Sequence, residues 1–180
     1  MVLFLLINLI VIFDMKKILF LDIDGVLNSK NSGTMWNSEI LKEYDLCNDC
    51  LYQVKRILNE SGCEIVWITS WRNHSDNYIW QFELNNKWYS FKSLFAQARE
   101  YFKDYKQSIC DHLYRRNKAD DIEYYIAKNN IDKNKDRFII LDDSSIQGLK
   151  ETFNDNFIKI DSQIGITKKI AEYVIDYFKV

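Results

Sequence analysis

Two aspartates stand two residues apart in Asp22-Ile-Asp24-Gly25-Val26-Leu27, and a second acidic pair stands at Asp142-Asp143. If Asp22 and Asp24 face one cavity, one carboxylate can attack phosphorus while the other gives and takes a proton. Such a pair needs a divalent cation to quench its charge; without one, mutual repulsion protonates one member. Gly25 permits a tight turn that keeps backbone amides close to an anion. Metal-assisted phosphoryl transfer is the chemistry these residue types allow. An isolated Asp-x-Asp-Gly often marks only a turn, so the surrounding elements decide its meaning.

Those elements are legible as short apolar runs. Lys17–Asp22 is continuous and apolar, as expected of a strand buried on both faces. Glu64–Thr69 and Arg137–Asp142 repeat the pattern, and Asn156–Asp161 is a weaker fourth. Each run closes on a hydroxyl or carboxylate residue, which places polar groups on one rim if the strands lie parallel. Helical patterns alternate with them. Cys50, Leu51, Val54, Ile57 and Leu58 share a face before Ser61-Gly62 stops the run. Asp120–Asn129 carries Ile122, Tyr125 and Ile126 on one side, and an amphipathic segment from Thr167 carries Ile170, Val174 and Phe178. Strand–helix alternation predicts a Rossmann-like α/β domain with a parallel sheet flanked by helices. The stretch Trp71–Asn117 exceeds one crossover and is expected to hold extra helices, including Phe91–Phe102, overhanging the rim.

A chain of 180 residues with 47% apolar residues can bury one ordinary core. Its 24 basic and 26 acidic residues leave a net charge of −2, unlike a protein that holds a polyanion by electrostatics alone. Cys47, Cys50, Cys63 and Cys110 are too few for a disulfide scaffold. Cys47-x-x-Cys50 reads first as thiols at a helix entry; a zinc site would need Cys63, Cys110, His74 or His112 to complete it. Residues 1–14, MVLFLLINLIVIFD, form an apolar extension shorter than the roughly 20 residues of a membrane span, read as lying upstream of the fold, with a weak membrane anchor as the alternative. The run lacks the basic start and small-residue cleavage site of a secretory signal. The folded domain is expected over 15–180, in the cytoplasm, without stable membrane insertion.

Asp22-x-Asp24-Gly-Val-Leu-Asn28 resembles the first motif of the haloacid dehalogenase (HAD) superfamily, and the remaining motifs follow in order. Thr69, with Ser70 beside it, matches the hydroxyl residue ending the next core strand. Lys118 is the best match to the Lys or Arg that opens a later helix, with Lys103, Lys106, Arg115 and Arg116 as alternatives. Asp142-Asp143 matches the acidic pair, although the same pair could cap a following helix. A narrower likeness, carried by Val66–Arg72, Lys118-x-x-Asp-Ile and Gly165-Ile-Thr167, is to the small HAD domains associated with RNA-repair proteins.

The resemblance implies small cap insertions, sought in Ser29–Asp45 and Trp71–Asn117, and a division of roles. Asp22 would be the nucleophile that forms an aspartyl-phosphate, and Asp24 the general acid and base. Mg²⁺ would be held by Asp22, the Asp24 carbonyl, Asp143 and Asp142, the last directly or through water. Thr69, Ser70 and Lys118 would bind the phosphoryl oxygens. Arg72 is a candidate for a second phosphate or a sugar, or else a structural ion pair. Trp36, Trp71, Trp80 and Trp88 could stack a base but more often such residues pack a core. The expected partner is a small phosphorylated molecule, including a nucleotide or a nucleic-acid end. The alternative is a non-catalytic phosphate-binding or nucleotide-binding module that keeps the fold. Haloacid dehalogenation would need neither the metal nor Asp24.

Overall fold

The computed structural model of the chain describes residues 15–32, 45–70, 79–84, 87–111, 117–144 and 148–179, and the backbone alone in 79–84 and 87–92. Five strands form one sheet in the order β5-β2-β1-β6-β7, and every pairing is parallel. They are β1 (Lys17–Leu21), β2 (Glu64–Trp67), β5 (Gln107–Ile109), β6 (Arg137–Asp142) and β7 (Phe157–Lys159). The three central strands are those with unbroken apolar runs, because both of their faces are covered.

Alternation of side chains divides the core in two. Leu19, Leu21, Ile65, Trp67, Ile139 and Leu141 point to one face, where α1 (Asn48–Ser61), α2 (Leu94–Tyr101) and α5 (Lys168–Lys179) cover them. Ile18, Phe20, Val66, Phe138 and Ile140 point to the other, beneath α3 (Lys118–Lys128) and α4 (Leu149–Phe153). This three-layer arrangement is the Rossmann-like architecture expected from the sequence. It brings the carboxyl ends of β1, β2 and β6 to one rim.

The stretch between β2 and α3 departs from expectation. An antiparallel hairpin, β3 (Ile79–Leu84) with β4 (Lys87–Lys92), forms a separate two-stranded sheet there. Phe91 lies in β4 rather than in a helix. Trp80, Phe82 and Leu84 recur at period two, and Asn85-Asn86 lies between the runs, which is a strand-and-turn signal. The helix in this region, α2, begins at Leu94 behind its Ser93 cap and does not overhang the rim. Leu94, Phe95, Ala98 and Phe102 are buried in the main core, with Phe95 edge-on to Trp67 at 5.9 Å. A helix with so continuous an apolar stripe is stabilised by lying on the sheet. The short strand β5 then joins the sheet edge beside β2.

Residues 1–14, most of Ser29–Asp45, Arg72, Trp36, Trp71, His74, His112, Arg115 and Arg116 lie outside the described residues. Among the described residues, no helix is long and apolar enough to cross a membrane.

Candidate active site

Register and pleat place the first two carboxylates. Leu21 pairs with Trp67 on one side and Leu141 on the other, so Asp22 follows β1 level with Asp142 at the end of β6. The Asp22 backbone N–H still donates to the Leu141 carbonyl at 3.0 Å. Asp22 shares the parity of Ile18 and Phe20, and Asp142 that of Phe138 and Ile140. Both therefore belong to the face covered by α3, and both are buried, Asp142 completely.

The first residue of α3 is Lys118. Asn117 caps this helix, its side-chain oxygen accepting from the Asp120 N–H at 2.9 Å. From that position Lys118 Nζ donates to Asp22 Oδ2 at 2.8 Å and also to Asp142 Oδ2. The remaining Asp142 oxygen accepts from the Ser144 N–H at 2.7 Å, and Asp22 Oδ1 accepts from the Ile23 N–H at 2.8 Å. The acidic pair does not cap α4, whose N-cap is Gly148.

Asp24 lies in the turn after β1, closed by Leu27 N–H donating to the Ile23 carbonyl at 2.8 Å. Buried Asn28 ties this turn together. Its amide nitrogen donates to Asp24 Oδ1 at 3.2 Å, and its amide oxygen accepts from the Gly25 N–H at 2.7 Å. Gly25 has φ +70, and a Cβ there would fall 2.6 Å from Asp143 Cγ. Only glycine leaves room for that carboxylate to lie against the turn. Asn28 was legible as part of the first motif, but its service to both Asp24 and Gly25 is a tertiary fact.

Thr69 is buried two residues beyond β2, and Ser70 beside it is exposed. The other candidate cations lie elsewhere: Lys103 pairs with Glu100 at 2.8 Å, and Lys106 pairs with Glu64 at the start of β2. Cys47 caps α1 and Cys50 is buried in its first turn, as expected of thiols at a helix entry.

The electrostatics are those of an overcrowded carboxylate site. Burial, followed by the charge of Asp22, pushes the Asp142 carboxyl up to about 7 despite Lys118. Asp143 is raised by the same two causes in the same order. For Lys118, burial opposes the charge, but Asp22 and Asp142 together outweigh it and raise its pKa. One ammonium thus leaves the carboxylates under-neutralised.

Ligand oxygens of Asp22, Asp142 and Asp143 lie within 4.8 Å of one another, the one such group of three among the described residues. An octahedral ion with oxygens at about 2.1 Å spans at most about 4.2 Å between opposite ligands, so a small closure would seat Mg²⁺. The all-oxygen donor set and the unrelieved negative charge both fit a hard dication.

A parallel α/β sheet with an acidic cluster at the carboxyl ends of adjacent strands fits a superfamily of phosphatase-type hydrolases. The chain belongs to the HAD domain family of Swiss Army Knife RNA repair proteins, whose family profile matches residues 18–171. HAD domains generally use Mg²⁺. No curated protein matches the chain significantly.

Proposed function

We propose that this domain is a Mg²⁺-dependent phosphomonoester hydrolase that works through an aspartyl-phosphate on Asp22. The observation that carries the reading is the convergence of Asp22, Asp142 and Asp143 in one cluster, with Lys118 Nζ bonded to the first two. Asp22, the Asp24 carbonyl, Asp142 and Asp143 would hold the metal, which would neutralise charge on the phosphoryl group. Asp22 attacks phosphorus as the ester bond to the leaving oxygen breaks, and Asp24 supplies that oxygen's proton. Asp24 then takes a proton from water as the water attacks phosphorus, which breaks the bond to Asp22 and releases inorganic phosphate. Lys118, Thr69 and Ser70 bind the phosphoryl oxygens, where positive charge and fixed donors stabilise the transition state. The turn held by Asn28 keeps Asp24 beside the reacting group.

A terminal phosphate on a nucleic acid is the substrate class favoured by the family, whose description places its members in RNA repair proteins. Recognition of one terminal phosphate needs only a few cations, so a net charge of −2 is no obstacle. Arg72 is proposed as a further contact to the substrate. The test is hydrolysis of an aryl phosphate, a nucleotide panel and 3′-phosphorylated oligonucleotides, with Mg²⁺ or EDTA, beside Asp22→Asn. Turnover that needs both metal and Asp22 supports the mechanism. Phosphate or Mg²⁺ binding without turnover on the whole panel would instead support the non-catalytic module.

A further inference from the structure

Cys47 and Cys50 occupy the first turn of α1, under the loop that carries Asp24. Cys47 is the half-buried N-cap with an extended backbone, and Cys50 is buried three residues later. Cα atoms three residues apart in a helical turn are about 5 Å apart, within the range of about 4.4–6.8 Å that a disulfide spans. The Cys50 thiol reaches the Ile164 carbonyl at 4.0 Å, and burial, reinforced by nearby Cys47, pushes it up to about 12. The other thiols are placed differently: Cys63 follows the far end of α1, and Cys110 donates to the Asp121 carbonyl at 3.2 Å in the opposite core layer.

The turn also supports a seam of backbone hydrogen bonds. Cys47 N–H donates to the Leu27 carbonyl at 2.7 Å. From the other side, Ile166 N–H donates to the Val26 carbonyl at 3.1 Å, and Lys30 and Asn31 bond to Ser162 and Gln163. Gly165, at φ +75, lets the backbone pass over the Cys50 sulfur, where a Cβ would fall 2.6 Å from Sγ. The Cys50 sulfur therefore fills the space between α1 and 161–166, and that loop clasps 26–31.

We propose that Cys47 and Cys50 form a reversible disulfide whose closure loosens the seam between 26–31 and 161–166. A small-molecule disulfide such as glutathione disulfide is the oxidant. The Cys47 thiolate attacks one of its sulfurs and expels a thiolate; Cys50 then loses its proton and attacks Cys47 Sγ, expelling the second. The protein gives up two electrons and two protons, and the oxidant becomes two thiols. Closure brings the two sulfurs to about 2.05 Å. That draws Cys50 Sγ from beneath Gly165 and pulls on Cys47, whose N–H holds Leu27. The inference stands apart from the phosphatase reading, because its readout is chemical and structural.

The test incubates the folded full chain in glutathione buffers of graded poise, then maps alkylated cysteines by mass and follows hydrogen exchange in the same samples. Cys47 and Cys50 should lose alkylation together, with the mass of two hydrogens lost and dithiothreitol restoring it. Amides within 26–31 should then exchange about tenfold faster, which Cys47→Ser should not show under oxidation. Cys47→Ala serves as a second variant if the serine perturbs the cap. Independent alkylation of the two cysteines at every poise, or a mixed disulfide at Cys47 that never closes, would overturn the proposal. So would unchanged exchange in the closed form, or equal acceleration in Cys47→Ser.

Discussion

Two buried aspartates bracket β6, and their surroundings could hardly differ more. Asp136, just before the strand, offers Oδ1 to the Lys16 N–H and Oδ2 to the Asp132 N–H, each at 2.9 Å. Both oxygens are satisfied by backbone donors, and the carboxylate clamps the entry of β1 to that of β6. Asp142, at the strand's other end, receives one backbone N–H and shares Lys118 with Asp22. Burial first, and then the charge of Asp22, raise its pKa. Burial alone therefore does not mark a functional acid. Gathering like charges faster than donors can neutralise them does.

The sharpest break between the two ends should come from Asp22→Asn. Loss of the nucleophile should lower phosphate-ester hydrolysis on the order of 10⁴-fold or more, with the circular dichroism spectrum unchanged. Residual turnover near the wild-type rate would remove Asp22 from the mechanism. Next, Gly25→Ala should push a methyl group into the Asp143 carboxylate while straining a left-handed backbone. We expect about 10²-fold lower activity and about 1–2 kcal/mol lower stability, with weaker Mg²⁺ binding by calorimetry. Wild-type Mg²⁺ affinity in that variant would place Asp143 outside the metal site.

The opposite end should respond in the opposite currency. Asp136→Ala leaves two partly buried backbone N–H groups without their acceptor and should cost about 1–2 kcal/mol in urea unfolding, with activity per folded molecule intact. Loss of activity without loss of stability would erase the contrast. Asp142 adds a pH signature to the metal-free protein. Its folded pKa of about 7 lies above the usual carboxylate value of 3.8, so the native state holds the proton more tightly than the unfolded chain. Stability is then greatest below the unfolded value and falls as pH rises through about 7. Thermal melts in EDTA should show this decline, and Asp142→Asn should flatten it. The smallest effect expected is that of Asn117→Ala, about 1 kcal/mol from the lost cap of α3, with a modest fall in activity because Lys118 opens that helix.

Much of the fold was readable because strands buried on both faces announce themselves as unbroken apolar runs. The β1, β2 and β6 runs are of this kind, and the observed strands stop at or within two residues of the expected ends. The hairpin β3–β4 differs from expectation because the length of the stretch predicts further helices, although Trp80, Phe82 and Leu84 alternate. Strand β5 escaped because its three residues, Gln107–Ile109, are partly exposed at the sheet edge and carry no apolar run. At the site, Asp22, Asp24, Asp142 and Asp143 were visible by type and position. The supporting roles of Asn28, Ser144 and Asn117 were not, since short polar residues occur in every loop.

Sequence by itself determined that β1, β2 and β6 become strands and that acidic and hydroxyl residues follow their carboxyl ends. Those properties depend on local composition and on chain order, both of which are covalent. Tertiary structure decided that β1 and β6 are neighbours, so that carboxylates 120 positions apart repel one another within one cluster. It also decided which cation enters that cluster. Lys118 is the best match in sequence with Lys103 and Lys106 among the alternatives, and of these three only Lys118 opens a helix lying on the face toward which Asp22 and Asp142 point. Strand order and pleat parity set that choice, because they determine which distant side chains share a space too small for their charges to ignore one another.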